Sequence, residues 1–262
     1  MAFFTTLYSG SSGNCALVEE DGKFLLVDLG KSCRAAAMAL KGLELAPSGL
    51  MGILVTHEHH DHVSGLPVFL KRWNAPVYGT AATLEELARR QLVRPNTPLT
   101  AADGKQLEVA GFGVESFSTS HDSAGCCGWR ITTPKGKTVA IATDLGYVSE
   151  EVMANLYCAD VVALEANYDE YMLSRGPYPP YLKARIASQR GHLSNDECAA
   201  ALLKLMDNGC IRYSLCHISQ ENNAPMLALG TLQAAMTAAG MDPEAVQVQA
   251  ALRHQPSPGY RW

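Results

Sequence analysis

The sequence predicts an α/β (α+β) fold in which two β-sheets pack face to face with helices on their outer sides. Three observations lead there. Strand-like stretches recur in both halves of the 262 residues with helical stretches between them, a pattern that suits two sheets burying their apolar faces together. No Pro/Gly/Ser-rich linker and no repeat of fixed period divides the chain. A content of 47% hydrophobic and 18% charged residues excludes a disordered chain. The length lies between one and two domains of ~150 residues. Without a boundary it reads as a single domain, 1–262.

Residues 3–8, 15–19 and 23–28 read as strands, with turns at 9–14 and at Asp21-Gly22. Residues 31–41 read as a helix stopped by Gly42, a glycine supplying the positive φ that helix ends favour. Residues 52–56 form a short apolar strand running into a cluster of histidines. A helix over 63–73, an extended 76–78 and a helix over 83–90 follow, with Thr83 and Glu86 spaced as a capping box. Strands are expected at 106–109, 113–120, 128–133 and 138–143, the last two joined as a hairpin by Pro134-Lys135-Gly136. A helix at 149–157 precedes the apolar strand 160–166. Helical character over 169–189 is broken by Gly176-Pro177-Tyr178-Pro179-Pro180. Ser194 and Glu197 box the start of a helix over 194–208, and Gly209 ends it. Strand 211–217, helix 224–239 and strand 245–250 close the pattern.

The formal charge of −5 argues against a surface coated with base for indiscriminate nucleic-acid or membrane binding. No window holds the ~18 apolar residues that a membrane span needs. The first residues, MAFFTTLYSG, lack the positive start and sustained apolar stretch of a signal peptide. The chain therefore reads as cytoplasmic, without a membrane partner. Its eight cysteines contain no C-x-x-C pair, and Cys33, Cys158, Cys198 and Cys210 read as buried free thiols among apolar or helix-forming neighbours. Of the eight histidines, four fall within six residues.

That segment is His57-Glu58-His59-His60-Asp61-His62. Residues two apart on an extended loop point the same way, so His57 and His59 present two imidazoles to one side. Asp61 and His62 turn toward a second position as the next helix begins. Three histidines and an aspartate at this spacing suit zinc, with manganese or iron as alternatives. His60 and His254 have no place in the pattern and read as non-ligands.

H-x-H-x-D-H after a short strand resembles the metallo-β-lactamase superfamily, and further segments resemble its other motifs in order. These are Val27-Asp28-Leu29-Gly30, Ser120-His121-Asp122, Ala142-Thr143-Asp144 and Cys216-His217-Ile218-Ser219. The resemblance implies a four-layer αββα sandwich. It implies two divalent ions, one on His57, His59 and His121 and one on Asp61, His62 and His217, with Asp144 between them and Asp28 supporting the ligand loop from behind. Any of these later residues alone would be weak, since a histidine at a strand end is usually structural. Two ions about 3.5–4 Å apart lower the pKa of a bridging water from 15.7 toward ~7, so a metal-bridged hydroxide serves as the nucleophile of a hydrolase.

Leu164-Glu165-Ala166-Asn167 and Gly191-His192-Leu193-Ser194-Asn195 resemble the Glu and His elements of the superfamily's phosphodiesterase branch. There Asp61, Glu165 and His192 would orient a histidine that protonates the leaving oxygen, a task an imidazole near its ordinary pKa of ~6.5 can perform. More of the chain resembles the YycJ/WalJ-type bacterial nucleases, through the loop Ser9–Cys15, the histidine run, Gly176-Pro177-Tyr178-Pro179, residues 191–195 and residues 217–223. The resemblance implies exonuclease action, on DNA rather than RNA. Two local features suit a phosphodiester substrate. Loop 9–14 offers Ser12 and Asn14 and a run of amides for a phosphate. Between Tyr171 and His192 no acidic residue occurs, and Arg175, Tyr178 and Arg185 alternate base with aromatic ring. Competing readings are a hydrolase of thioesters, lactones or β-lactams, which needs a pocket without cationic lining, and a regulatory module with a closed structural metal.

Overall fold

The computed structural model describes residues 1–262. The first part of the chain builds β1 (Ala2–Tyr8), β2 (Cys15–Glu20), β3 (Lys23–Val27), β4 (Leu50–Leu54), β5 (Val77–Gly79) and β6 (Leu99–Ala101), side by side in that order. The second sheet orders β7 (Gln106–Val109), β8 (Phe112–Ser118), β9 (Cys127–Thr132), β10 (Thr138–Ala142), β11 (Val161–Glu165), β12 (Arg212–Cys216) and β13 (Gln247–Ala250). β14 (Tyr260–Arg261) then returns to β1, so each sheet has seven strands. Each sheet begins as antiparallel hairpins and continues as parallel strands, from β3 to β6 in one and from β10 to β13 in the other.

Parallel pairs need crossovers, and these carry the helices. They are α1 (Cys33–Gly42), α2 (His60–Val63), α3 (Leu66–Arg72) and α4 (Ala81–Arg89) in the first half. In the second half they are α5 (Glu150–Leu156), α6 (Glu170–Arg175), α7 (Pro180–Ile186), α8 (Asn195–Met206) and α9 (Pro225–Ala238).

Alternation along the strands sorts side chains into three apolar layers. In β3, Leu25 and Val27 face inward onto Trp129, Ile131 and Val161 of the other sheet, while Phe24 and Leu26 face outward among Leu40, Leu66 and Phe69. Across the second sheet, Val162 and Leu164 face Leu202, Leu205 and Leu232 of the helices. The result is the expected αββα sandwich. No helix is long and apolar enough to cross a membrane.

Local corrections have local causes. The first helix runs through Gly42, and the left-handed residue beyond it is Glu44 with φ 59. Thr80, not Thr83, caps α4, its hydroxyl accepting the Thr83 N–H; Glu86 instead binds Arg89 and Arg90. The helix expected at 63–73 is broken at Gly65, which lies so close to the Lys31 carbonyl that a Cβ would sit 1.8 Å from its oxygen. Strands β6 and β14 are too short to show a period in the sequence. All eight cysteines are free, but Cys158 is exposed rather than buried, in a left-handed turn with φ 56 after α5.

Candidate active site

The parallel strands deliver the candidate residues to one rim. Asp28 follows β3, His57 lies three residues beyond β4, Asp144 two beyond β10, Glu165 ends β11 and His217 follows β12. Asp28, Asp144 and His217 all adopt left-handed backbone, with φ of 62, 57 and 53. That conformation disfavours residues with a Cβ by roughly 1–2 kcal/mol, and Asp and His are among the types that enter it most often. It turns each side chain out of the strand's alternation and into the site.

A carboxylate network sets the imidazoles. Asp28 accepts from the Thr56 N–H (2.8 Å) and hydroxyl (2.8 Å) and meets His62 Nδ1 at 2.7 Å. His62 Nε2 is thereby aimed at Asp144 Oδ2, 3.2 Å away. His121 Nδ1 donates to the Gly191 carbonyl at 2.9 Å. Glu165, fully buried, meets His192 Nδ1 at 2.8 Å and His217 Nδ1 at 2.9 Å, and accepts the Leu145 N–H at 3.0 Å. The other His217 nitrogen faces Asp61 Oδ2 at 3.3 Å. Asp61 and Glu165 are therefore joined through the His217 ring, which stands between the two carboxylates.

Burial and neighbouring charge compete in this cluster. Burial, reinforced by His62, holds the His57 pKa well below its usual value. Burial also opposes charge on His62 and His217. There the carboxylates win: Asp144 and Asp28 raise His62, while Asp144, Asp61 and Glu165 push His217 up to about 10. His192 is raised by Glu165 and Asp144 against the same desolvation.

Four groups present ligand atoms within 4.8 Å of one another: His57, His59 and His121; Asp61, His62 and His217; His57, His62 and Asp144; and Asp144, Glu165, His192 and His217. His57 Nε2 is buried without any hydrogen-bond partner, and Asp144 Oδ2, equally buried, has only the ionic approach of His62 Nε2. Buried polar atoms are rarely left unpaired, so this donor set fits divalent cations. His60 and His254 are exposed. The cleft beside the cluster encloses about 180 Å³ and is lined by His192, His217, Ser11, Tyr178, Arg185 and other residues.

The sequence profile of the beta-lactamase superfamily domain matches residues 24–218. The chain belongs to the metallo-β-lactamase superfamily. An exodeoxyribonuclease, YycJ of Bacillus anthracis, is 38% identical over 86% of this chain and 85% of its own. The exodeoxyribonuclease WalJ of Streptococcus pneumoniae is 34% identical over 87% and 86%. Among solved structures, the metallo-β-lactamase fold protein YhfI of Bacillus subtilis superposes with a TM-score of 0.72 at 17% identity, covering 98% of this chain and 99% of its own. The last comparison speaks to the fold alone.

Within this metallo-β-lactamase superfamily chain, Asp28 makes no approach to the cleft and acts by fixing the His62 ring. Such supporting contacts are worth about 10–100-fold in metal affinity. Asp28→Asn is expected to weaken metal binding by that factor, measured by competition with a chromogenic chelator. Unchanged affinity would remove Asp28 from the site.

The candidate substrate contacts divide. Tyr178 and Arg185 line the cleft, although the Arg185 guanidinium is tied to Asp122 at 2.6–2.7 Å. Arg175 does not line it and lies exposed near the Tyr171 ring, 6.0 Å away. Tyr171 and Tyr181 are 71% and 75% exposed, so neither is a core residue. Asn14 is buried beside Asp61 and His62, its Nδ2 3.3 Å from Asp61 Oδ2 and 3.0 Å from His62 Nε2. Ser12 accepts a hydrogen bond from Lys31 at 2.9 Å. The amides of Ser9, Gly10, Gly13 and Asn14 all bond within the protein, which leaves those of Ser11 and Ser12 as the loop's unengaged donors, with Ser11 lining the cleft.

Two devices escaped sequence reading. Thr56 links Asp28, His57 and His62 through one hydroxyl; its place just before the histidine run was the available signal. Asn195 and Asn223 form a reciprocal amide pair at 2.8 and 3.0 Å. The pair ties the segment that follows His192 to the segment that follows His217, beside the Glu165 contacts that hold the two rings.

Proposed function

We propose that this metal-dependent enzyme is a cytoplasmic exodeoxyribonuclease. We further propose that residues 1–262 act as one domain, whose ligands converge from positions 57 to 217. The observation that carries the reading is His192. It is gripped through Nδ1 by a fully buried Glu165, while its side chain, 21% exposed, opens onto the cleft that Tyr178 and Arg185 line. A phosphodiester needs a proton for its departing alkoxide, and a histidine placed this way supplies one. The relatives that share most of the chain's length bear the same activity in their names.

In this reading His57, His59 and His121 hold one divalent ion and Asp61, His62 and His217 a second, with Asp144 reaching both. Zinc, manganese and iron all suit the donor set. Bound there, the ions would supply Lewis acidity and an acidified water. The residues around them do the remaining work. Tyr178 stacks on an unpaired base, and Arg185 faces the strand's phosphates from its seat on Asp122. His192 gives its proton to the leaving oxygen, and Glu165 holds the ring so that Nε2 faces the cleft.

End-labelled DNA and RNA digests, with thioester and β-lactam substrates in parallel, test the reading. Expected are successive mononucleotides from one DNA end, abolished by chelator and restored by added metal. Hydrolysis of the thioester or lactam without phosphodiester cleavage would overturn it.

A further inference from the structure

Arg253, outside every motif discussed so far, is built into the rim of a second cavity. It lines a pocket of about 220 Å³ with Ser9, Ser219 and Asn223 among others, and is the only charged residue in that lining. Ser219 lines this pocket and the catalytic cleft, so the two adjoin. The guanidinium packs against Gly10, whose φ is +124 and where a Cβ would stand 2.9 Å from Nη1. A glycine there makes room for the cation.

Arginine carries five N–H donors. In Arg253, Nη2 donates to the Ile218 carbonyl at 2.5 Å, while Nη1 is buried with no partner at all. Burial works against the charge, and Glu221 acts on it only from a distance without forming an ion pair. Lys31, bonded to Ser12, adds further positive charge on the same side of loop 9–14. Ala224 and Pro225, at the start of α9, supply part of the wall and bring no acidic group to it. A half-buried guanidinium with one unpaired nitrogen and no ion-pair partner, beside a phosphodiester cleft, matches a phosphate monoester.

We propose that Arg253 and Ser219 form a subsite for the terminal phosphate of the nucleic-acid strand whose scissile bond lies in the adjoining cleft. The inference rests on the nuclease reading and gives it a means of selecting strand ends.

The test is equilibrium binding, by fluorescence anisotropy, of nuclease-resistant phosphorothioate oligothymidylates to the metal-loaded protein. Three probes are used: 5′-phosphorylated, 3′-phosphorylated and hydroxyl at both ends. One phosphorylated probe is expected to bind at least about tenfold tighter than the hydroxyl probe. Arg253→Ala should erase that preference and Arg253→Lys should keep part of it. If thermal melting shows that Arg253→Ala does not fold, Arg253→Gln, which retains a donor for Ile218, replaces it. Equal binding of all three probes by the wild type, or a preference that survives in the folded variant, would overturn the subsite. The nuclease reading fails separately, if the wild type leaves unmodified DNA and RNA uncut.

Discussion

Replacing His192 by alanine is expected to leave two metal ions per chain and to slow phosphodiester cleavage by about 10²–10⁴-fold. The expectation comes from a contrast between neighbouring imidazoles. His62 and His217 are almost wholly enclosed, whereas His192 keeps 21% of its side chain open. His192 is not part of the two histidine-rich triads, yet it can join Asp144, Glu165 and His217 in a fourth ligand-like group. Metal content therefore decides between the roles. Elemental analysis of purified His192→Ala, set beside kcat at saturating substrate, separates them: loss of an ion with the mutation would make His192 a ligand, and an unchanged rate would leave it no catalytic part.

Asp144→Ala should strike metal content as well as rate. The Asp144 carboxylate lies 3.2 Å from His62 Nε2, 3.7 Å from His217 Nε2 and 3.8 Å from His121 Nε2, so it stands between the two proposed ions. Its removal should reduce metal stoichiometry from two to one or fewer. Because metal charge stabilisation is worth several kcal/mol, the rate should fall by about 10³-fold or more. Asp144→Asn is the informative companion, since asparagine also tolerates left-handed backbone. If the Asn variant melts like the wild type but loses an ion, the carboxylate's charge is responsible. Full activity with both ions in either variant would remove Asp144 from the centre.

How much of this could be read beforehand depended on sequence distance. His57, His59, Asp61 and His62 lie on one loop, where spacing alone says which way side chains point. Ser194 and Glu197 likewise announce the start of α8, and the capping box is present. What escaped was the long-range pairing. Asn14 looks like a loop residue offered to substrate until its partners, 47 and 48 residues away at Asp61 and His62, are seen. Glu165 at a strand end could equally have been exposed; only the pairing of β10, β11 and β12 encloses it. Arg253 carries no local pattern, and its meaning depends on Gly10 at the other end of the chain. At Gly42 and Thr83 the residue types were suitable and the offset was wrong, because capping is decided by where the first and last helical hydrogen bonds close.

The left-handed backbone at Asp28, Asp144 and His217 limits how the centre can be re-engineered. Exchanging donor atoms to favour another ion, for instance a longer carboxylate or a thiolate at 144 or 217, changes the torsional demand at the same time as the chemistry. A glutamate at 144 has the reach to coordinate, but it gives up the ease with which aspartate sits at that φ. Libraries meant to alter metal preference should therefore hold 28, 144 and 217 to Asp, Asn, His or Gly and place their diversity at His59 and His121, whose backbones carry no such constraint.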